Sequence, residues 1–199
     1  MKTDSILKGL MALAFSAGIA TAAAAGDTYV IDPAHSTVGF LVQHLTVSQV
    51  QGQFNDFQGT IDLDPADAAA TKVDVTIQTK SIDTRNENRD KHLRSPDFFD
   101  ADKNPLITFQ SSAVTADGKA YSITGDLTIK GVTKKATVPL VISGPITNPM
   151  GGGQVIGLSG QTKINRQDFG VSWNKQMDKG GFVVGNDVQI NINLEAHAK

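Results

Sequence analysis

Apolar and polar residues alternate with a period of two along most of the chain after residue 26, and helical periodicity is scarce. Such alternation places successive side chains on opposite faces of a β-strand. It predicts eight strands, each with one apolar face, centred on residues 38–42, 50–63, 73–77, 107–111, 121–129, 136–142, 156–164 and 188–194. Asp117-Gly118, between the fourth and fifth strands, is a preferred pair for a hairpin turn.

The eight apolar faces have to be covered, either by a second sheet or by closure of the sheet on itself. Closure also removes the exposed edges through which sheets aggregate. We therefore expect an all-β fold, an eight-stranded antiparallel barrel. Within the second strand the apolar register changes from even positions before Asn55 to odd positions after Asp56. That change requires an extra residue and predicts a bulge that bends the strand there.

Residues 82–104 interrupt the strand pattern. Thr84 followed three residues later by Glu87 is a capping-box signature, and Pro96 marks a stop, so we predict a short helix over about Arg85–Arg94 at one end of the barrel. Two further segments, 143–154 and 165–181, are rich in turn-forming residues and are predicted as loops over the barrel ends.

The predicted helix has only one strongly apolar residue, so it is not a core element. Arg85, Arg89 and His92 recur at i, i+4 and i+7 and would share one face. Two interpretations fit this face. It meets an anionic or polar head group at the barrel mouth, because guanidinium groups match phosphate geometry, or it is solvated, with its arginines paired to Glu87 and Asp90.

Three glycines, Gly59, Gly125 and Gly160, occupy inward-facing positions of the predicted strands. An eight-stranded barrel encloses a space that side chains fill or that holds one small ligand, so missing inward side chains favour an apolar cavity. The alternative interpretation is that barrel strands need glycine where they bend tightly.

The N-terminal 25 residues have a different character. Lys2 and Lys8 precede an apolar run, GLMALAFSAGIA, which is followed by the small residues TAAAA. This pattern predicts a cleaved secretory signal peptide over residues 1–25, with an N-terminal membrane anchor as the alternative. The mature chain, residues 26–199, then has the length of one domain.

Charge and composition exclude several classes of function. The chain has 18 Lys and Arg against 20 Asp and Glu, a net charge of −2, which gives a nucleic acid no basic partner surface. It contains no cysteine, so disulfides, thiolate metal sites and thiol nucleophiles are excluded.

The four histidines are His35, His44, His92 and His197, and no two of them have the close spacing of a zinc motif. We therefore expect no metal and no cofactor. His44 continues the inward register of the first strand and is predicted as a hydrogen-bonded polar group in an apolar lining. His35-Ser36 is an adjacent pair on opposite faces, which is poorly arranged for nucleophilic catalysis. Trp173 is predicted to pack as a plug at one end of the barrel.

Five segments carry a resemblance to a known family: IDPAHSTVGFLVQHL, GQFNDFQGTIDLD, SIDTRNENRDKHLRSPDFFD, ITGDLTIKGVTKKATVPL and NRQDFGVSW. In this order they resemble the YceI-like family of bacterial periplasmic proteins. The resemblance implies an extended lipocalin-like barrel with a long apolar tunnel for a polyisoprenoid or another long-chain amphiphile. It implies a periplasmic carrier or storage protein, with an isoprenoid quinone or an isoprenyl pyrophosphate as cargo, and not an enzyme.

The resemblance and the strand register together define the candidate site. The predicted head-group residues at the mouth, which match the family's pattern, are Asp83, Arg89, Asp90, His92 and Leu93. The predicted tunnel residues are Phe40, Val42, His44, Phe54, Gly59, Ile77, Phe109, Ile123, Gly125, Leu158, Gly160 and Ile190.

Two other functions are weighed against the carrier. An enzyme acting on an isoprenoid head group would use His44 or His92 as acid or base. An outer-membrane barrel is disfavoured, because an aromatic content of 6% and the C-terminal residues LEAHAK show no aromatic girdle. We therefore expect no membrane span in the mature form, no nucleic-acid partner and a lipid ligand, with a homodimer through an edge strand as an open possibility.

Overall fold

A computed structural model describes residues 26–178 and 180–199 of the chain. The predicted signal peptide, residues 1–25, lies outside the described residues. The described chain is built almost entirely from strands, with one α-helix of eight residues, α1 (Glu87–Arg94). The strands are β1 (Asp27–Ile31), β2 (Thr37–His44), β3 (Ser48–Phe54), β4 (Phe57–Leu63), β5 (Lys72–Gln78), β6 (Ile82–Asp83), β7 (Leu106–Asp117), β8 (Ala120–Ile129), β9 (Val132–Thr147), β10 (Gln154–Asn165) and β11 (Val184–Ala198).

The sheet closes into a barrel, as predicted. Every neighbouring pair of strands is antiparallel, and β1 pairs with both β4 and β11, which joins the first strand to the last. A short 3-10 turn at Pro33–His35 separates β1 from β2, and both pair with β11. With β1 and β2 counted as one strand, β3 and β4 as another, and the two-residue β6 set aside, the barrel has the eight strands that the alternation predicts.

The predicted bend at Asn55-Asp56 separates β3 from β4. Before it, β3 pairs with β2, with Phe54 opposite Val38; after it, β4 pairs with β5, with Phe57 opposite Ile77. The two residues between the strands absorb the change of register. One long strand thereby contributes apolar side chains to the barrel interior on both sides of the bend.

The predicted loop over residues 143–154 is wrong for half its length. Strand β9 continues to Thr147, so only residues 148–153 connect it to β10. The turn-forming pair Gly144-Pro145 lies at a bulge, where pairing skips from Ser143↔Gly157 to Ile146↔Val155. Gly144 has φ +98° there, a value that favours glycine. A bulge accommodates both residues without ending the strand.

The predicted helix exists but begins later than its capping signature indicates. Its N-cap is Asn86, whose side chain accepts a hydrogen bond from the Arg89 N–H at 3.0 Å, and not Thr84. Arg85 lies before the helix with φ +61°, so Arg85, Arg89 and His92 do not form one helical face. The helix interrupts the connection from β5 to β7 at the end where β8 turns into β9. In the described ranges no helix is long and apolar enough to cross a membrane.

The barrel end remote from α1 is filled by apolar side chains. Tyr29, Leu63, Ile142, Ile156 and Ala196 are all buried there, and the Tyr29 hydroxyl reaches the Gln154 amide oxygen at 3.4 Å. This packing closes one end of the barrel. Open space therefore lies in the middle and towards α1.

Candidate ligand-binding cavity

An apolar cavity of about 210 Å³ occupies the barrel interior. Eight of the predicted tunnel residues line it, namely Phe40, Val42, Phe54, Ile77, Phe109, Ile123, Leu158 and Ile190. The wall also includes residues that were not singled out from the sequence, among them Val38, Ile61, Val73, Val75, Leu127, Ala136, Val138, Leu140, Val184, Val188 and Ile192. Most of these occupy the same inward register, so the alternation of the strands already contained the signal for them.

Accessibility differs along the wall. Ile61, Ile123 and Leu158 are at most 1% exposed, so the interior around them is fully packed. Phe40 and Ile190 also face inward but are only half-buried. The free space therefore lies mainly against the inner faces of the paired strands β2 and β11 and continues towards α1.

The three inward glycines do not supply this space. Gly59, Gly125 and Gly160 are absent from the cavity wall, and a Cβ at each would lie 2.2–2.5 Å from a backbone oxygen of the neighbouring strand. The space above Gly125 is already taken by the Phe109 ring, 2.7 Å from that position. These glycines permit close approach of neighbouring strands, so their assignment to the tunnel wall is corrected in favour of tight bending.

His44 also lies outside the cavity wall. It is the last residue of β2, beyond the lining residue Val42, and it pairs with Val184. The pairing of β2 with β3 stays regular to its last pair, His44↔Ser48, so His44 keeps the parity of Val42 but stands at the end of the strand, past the cavity. Its predicted place in the tunnel is corrected accordingly.

The segment around α1 covers the cavity with apolar side chains. Leu93, Phe98 and Phe99 contribute to the wall. The Phe99 ring packs edge-on against Phe54 with centroids 6.2 Å apart, and Phe54 packs against Phe40 at 6.0 Å. This aromatic row joins the helical segment to β2 and β3. Of the five predicted mouth residues, Leu93 is therefore the one that reaches the cavity.

Three of the other mouth residues fix the chain before the helix. The Asp90 carboxylate is 6% exposed and accepts hydrogen bonds from the Thr84 N–H, at 2.9 Å, and from the Thr84 hydroxyl. Arg89 donates to the same hydroxyl and to the Thr84 carbonyl, both at 2.7 Å. Asp83 accepts from the Arg85 N–H, and this bond is the main reason that the pKa of Asp83 lies below its ordinary range. These polar groups are engaged locally.

His92 is part of an aromatic cluster at the same end. Its ring lies edge-on to Phe98 and to Trp173, with both centroid distances 5.0 Å, and its Nε2 is 2.9 Å from an Asp97 carboxylate oxygen. Phe98 reaches the cavity, whereas His92 and Trp173 do not line it. Trp173 packs here as the predicted plug. Lys130 donates to the carbonyls of Pro96 and Gly170, which ties the plug to the β8–β9 turn.

Arg166 is a site residue that the sequence analysis missed. It lines the cavity and is 5% exposed. Its guanidinium donates to the carbonyls of Val171, Trp173 at 3.0 Å, Gly185 at 2.8 Å and Val184 at 3.4 Å. Among the described residues no carboxylate pairs with it, and burial lowers its pKa. The only sequence signal for Arg166 as a site residue is its position within NRQDFGVSW, one of the segments that resemble the family.

The cavity holds no candidate metal centre within the described part of the chain, since the one group of three potential ligands lies on the outer face of the barrel. The interior can exclude water from an apolar chain, and its polar groups stand at the end near α1. Such a cavity suits a ligand that is long and apolar with a polar end.

Comparisons with known proteins agree with this geometry. A family model described as the YceI-like domain matches residues 29–196. A UPF0312 protein of Staphylococcus aureus is 39% identical over 167 residues, covering 84% of this chain and 95% of its own.

Solved structures give the same result. BcnA of Burkholderia cenocepacia superposes with a TM-score of 0.72 at 32% identity, covering 83% of this chain and 98% of its own. The YCEI protein of Campylobacter jejuni superposes at 0.67 with 37% identity, covering 79% and 90%. A polyisoprenoid binding domain from Saccharophagus degradans shares the fold at 15% identity, with a TM-score of 0.66 and coverage of 86% and 98%.

Proposed function

Since the chain belongs to the YceI-like domain family, we propose that it is a carrier or storage protein that holds a polyisoprenoid, or a similar long-chain amphiphile, inside its barrel. The observation that carries the proposal is the apolar cavity beneath α1. The Saccharophagus degradans neighbour, whose name states that it binds polyisoprenoids, supports the same class of ligand.

The size of the cavity sets the length of chain that it holds. At roughly 30 Å³ for each closely packed group of the size of a water molecule, a volume of about 210 Å³ accommodates about seven such groups. A buried methylene contributes about 0.8 kcal/mol, so a chain of about seven buried carbons gains roughly 6 kcal/mol. Association costs about 4–15 kcal/mol. Chains much shorter than the cavity therefore bind weakly, and the barrel selects long ones.

The polar end of the ligand belongs at the end near α1, because the rest of the wall is apolar. The buried guanidinium of Arg166 stands in that part of the wall without a carboxylate partner among the described residues. A positive charge in a poorly solvated wall favours a ligand whose head group is anionic or rich in oxygen acceptors. An isoprenyl pyrophosphate or an isoprenoid quinone meets that requirement.

The proposed carrier acts in the periplasm. Residues 1–25 have the charge and hydrophobicity of a secretory signal peptide, and residues 26–199 then form one binding domain. The mature chain has no cysteine, so an oxidising compartment imposes no disulfide chemistry on it. The proposed role is not catalytic. In support of this, neither His44 nor His92 lines the cavity in which a head group would be held.

Native mass spectrometry of the chain, purified from the periplasm without detergent and followed by extraction and identification of bound lipid, tests the proposal. Two neighbouring variants on β11 form a matched pair. Ile190→Asp places a charge in the cavity wall, whereas Asn191→Asp places the same group on the opposite face of the strand.

We expect stoichiometric lipid in the wild type and in Asn191→Asp, and none in Ile190→Asp. Circular dichroism confirms that each variant is folded; if Ile190→Asp is not, Ala136→Leu narrows the same cavity without a charge. An empty wild-type protein that also fails to take up added polyisoprenoid contradicts the proposal. Equal lipid loads in the two aspartate variants contradict it as well.

A further inference from the structure

Four metal-ligating side chains meet on the outer face of the barrel, away from the cavity. They are Asp32 and His35, at the 3-10 turn between β1 and β2, and Glu195 and His197, near the end of β11. Glu195 and His197 are two residues apart on one strand, so both point to the same face, while their neighbours Leu194 and Ala196 are buried. More than 150 residues of sequence separate the two pairs, so no spacing motif shows the group.

The distances within the group are those of shared ligands. The Asp32 Oδ2 atom lies 2.7 Å from His35 Nδ1 and 3.6 Å from His197 Nε2. Glu195 Oε1 lies 3.0 Å from His197 Nε2 and 3.9 Å from His35 Nδ1. Each carboxylate is thus within 4 Å of both imidazoles. Two separate ion pairs would need only one such contact each.

The observed distances between ligand atoms, from 2.7 to 3.9 Å, lie on both sides of the separation that a tetrahedrally coordinated ion requires. Zinc–nitrogen and zinc–oxygen bonds of about 2.0–2.2 Å place neighbouring ligand atoms about 3.4 Å apart. The ligand atoms of Asp32, Glu195 and His197 all lie within 4.8 Å of one another. His35 is not part of this close group, but 66% of its side chain is exposed, so it is free to turn its Nδ1 into a fourth position.

The backbone holds the carboxylates in place for this arrangement. The Ala34 N–H donates to Asp32 Oδ1 at 2.9 Å, which leaves Oδ2 directed at the two histidines. The Asp32 N–H donates to the Glu195 carbonyl at 2.9 Å, and Glu195 N–H donates to the Ser36 hydroxyl at 3.0 Å. Outer contacts of this kind orient ligands in metal sites.

We propose that Asp32, Glu195 and His197, with His35 as the fourth ligand, bind one divalent transition-metal ion of the zinc type. Two imidazoles and two carboxylates suit zinc better than magnesium or calcium, which prefer oxygen ligands alone. The site lies where the first and last strands of the barrel meet. There, β1 pairs with β11 at Tyr29–Ile31, pairing stops at the 3-10 turn, and it resumes at Thr37. A bound ion therefore crosslinks the closure of the barrel.

Isothermal titration with zinc chloride tests the site, using chelator-treated protein without a histidine tag. We expect one zinc ion per chain and a higher melting temperature in its presence. His197→Gln and Glu195→Gln each weaken binding at least tenfold, and His35→Gln weakens it less because that ligand is exposed. His92→Gln is the matched control, since His92 likewise pairs with a carboxylate, that of Asp97, but has no second carboxylate within 4 Å among the described residues.

A second measurement locates the ion. Zinc is expected to slow hydrogen exchange at residues 196–198, which pair with β1, and to leave the β7–β8 hairpin unchanged. The proposal is overturned if zinc does not saturate at one ion per chain, if magnesium binds as tightly, or if His92→Gln weakens binding as much as His197→Gln. None of these outcomes depends on the lipid cargo.

Discussion

Ala136→Leu should shorten the ligand that the barrel accepts. Ala136 lies on the inner face of β9 and lines the cavity, and leucine adds three carbons to that wall. If each ligand methylene in the cavity contributes about 0.8 kcal/mol, affinity rises about fourfold for each carbon added to the ligand. The rise stops when the cavity, with its room for about seven groups, is full.

In the variant, three of those groups are displaced. A ligand that fills the wild-type cavity should lose roughly 2.4 kcal/mol, which is about sixtyfold in Kd. A ligand at least three carbons shorter than the capacity should keep its affinity. The folded state gains up to about 2.4 kcal/mol from the new apolar contacts and loses about 1–3 kcal/mol to strain. The net change in stability lies between a gain of about 1.4 kcal/mol and a loss of about 3 kcal/mol, so urea denaturation of the variant has to show that a loss of binding is not a loss of folding.

A series of saturated fatty alcohols, each one carbon longer than the one before, measures the chain length that the cavity accepts. Their affinities, measured by displacement of a fluorescent lipid, should reach a plateau about three carbons earlier in Ala136→Leu than in the wild type. Lys135→Leu adds the same side chain one residue away, on the outer face, at the cost of a surface ion pair with Asp126 that contributes little. It should behave as the wild type. Plateaus at the same length in all three proteins, or affinities independent of chain length, would refute the reasoning.

Three further predictions concern stability. Arg166→Lys should lower the free energy of unfolding by about 3 kcal/mol or more in urea denaturation, because an ammonium group cannot serve four carbonyls that a guanidinium serves; a neutral effect would contradict this. Gly125→Ala should lower the free energy of unfolding by more than about 2 kcal/mol, since the added Cβ would lie 2.3 Å from the Gln110 carbonyl oxygen. Gly157→Ala is the control: the atom nearest to its added Cβ lies at 3.9 Å, so the free energy of unfolding should stay within about 0.5 kcal/mol of the wild type. Because the pKa of Asp83 is lowered in the folded protein, its ionised carboxylate stabilises the folded state. This stabilisation is fully present above the ordinary pKa of an aspartate and is lost as the pH falls through the lowered value. A carbon-detected NMR titration should therefore find this carboxyl below 3.8, and a midpoint at or above that value would contradict the contact.

The barrel could be predicted because its signal is local. Alternation along each strand gives the inward face, and the parity change at Asn55-Asp56 is readable from neighbouring positions alone. Eight of the residues chosen from this inward register line the cavity. Fold and lining thus depend on periodicity, which a single sequence displays.

Features that depend on which residues lie across the barrel could not be predicted. An inward glycine removes a side chain, but only the structure shows that Phe109 occupies the space over Gly125. Arg166 looks like a loop residue until β11 brings the Val184 and Gly185 carbonyls to it. His44 falls outside the wall because it stands at the end of β2, and only the structure shows that the cavity stops before it. Each outcome was set by distant parts of the chain.

The pairing of β1 with β11 also determines when the molecule can fold. Tyr29 lies opposite Ala198, so closure waits until residue 198 has been synthesised. Contacts between such distant positions raise the contact order, and high contact order slows folding. Until β11 arrives, β10 on one side and β1 and β2 on the other lack the partner that closes the barrel, and open edges recruit other chains. A nascent chain that stops before residue 184 is consequently an aggregation hazard, and its cavity has no wall along β11.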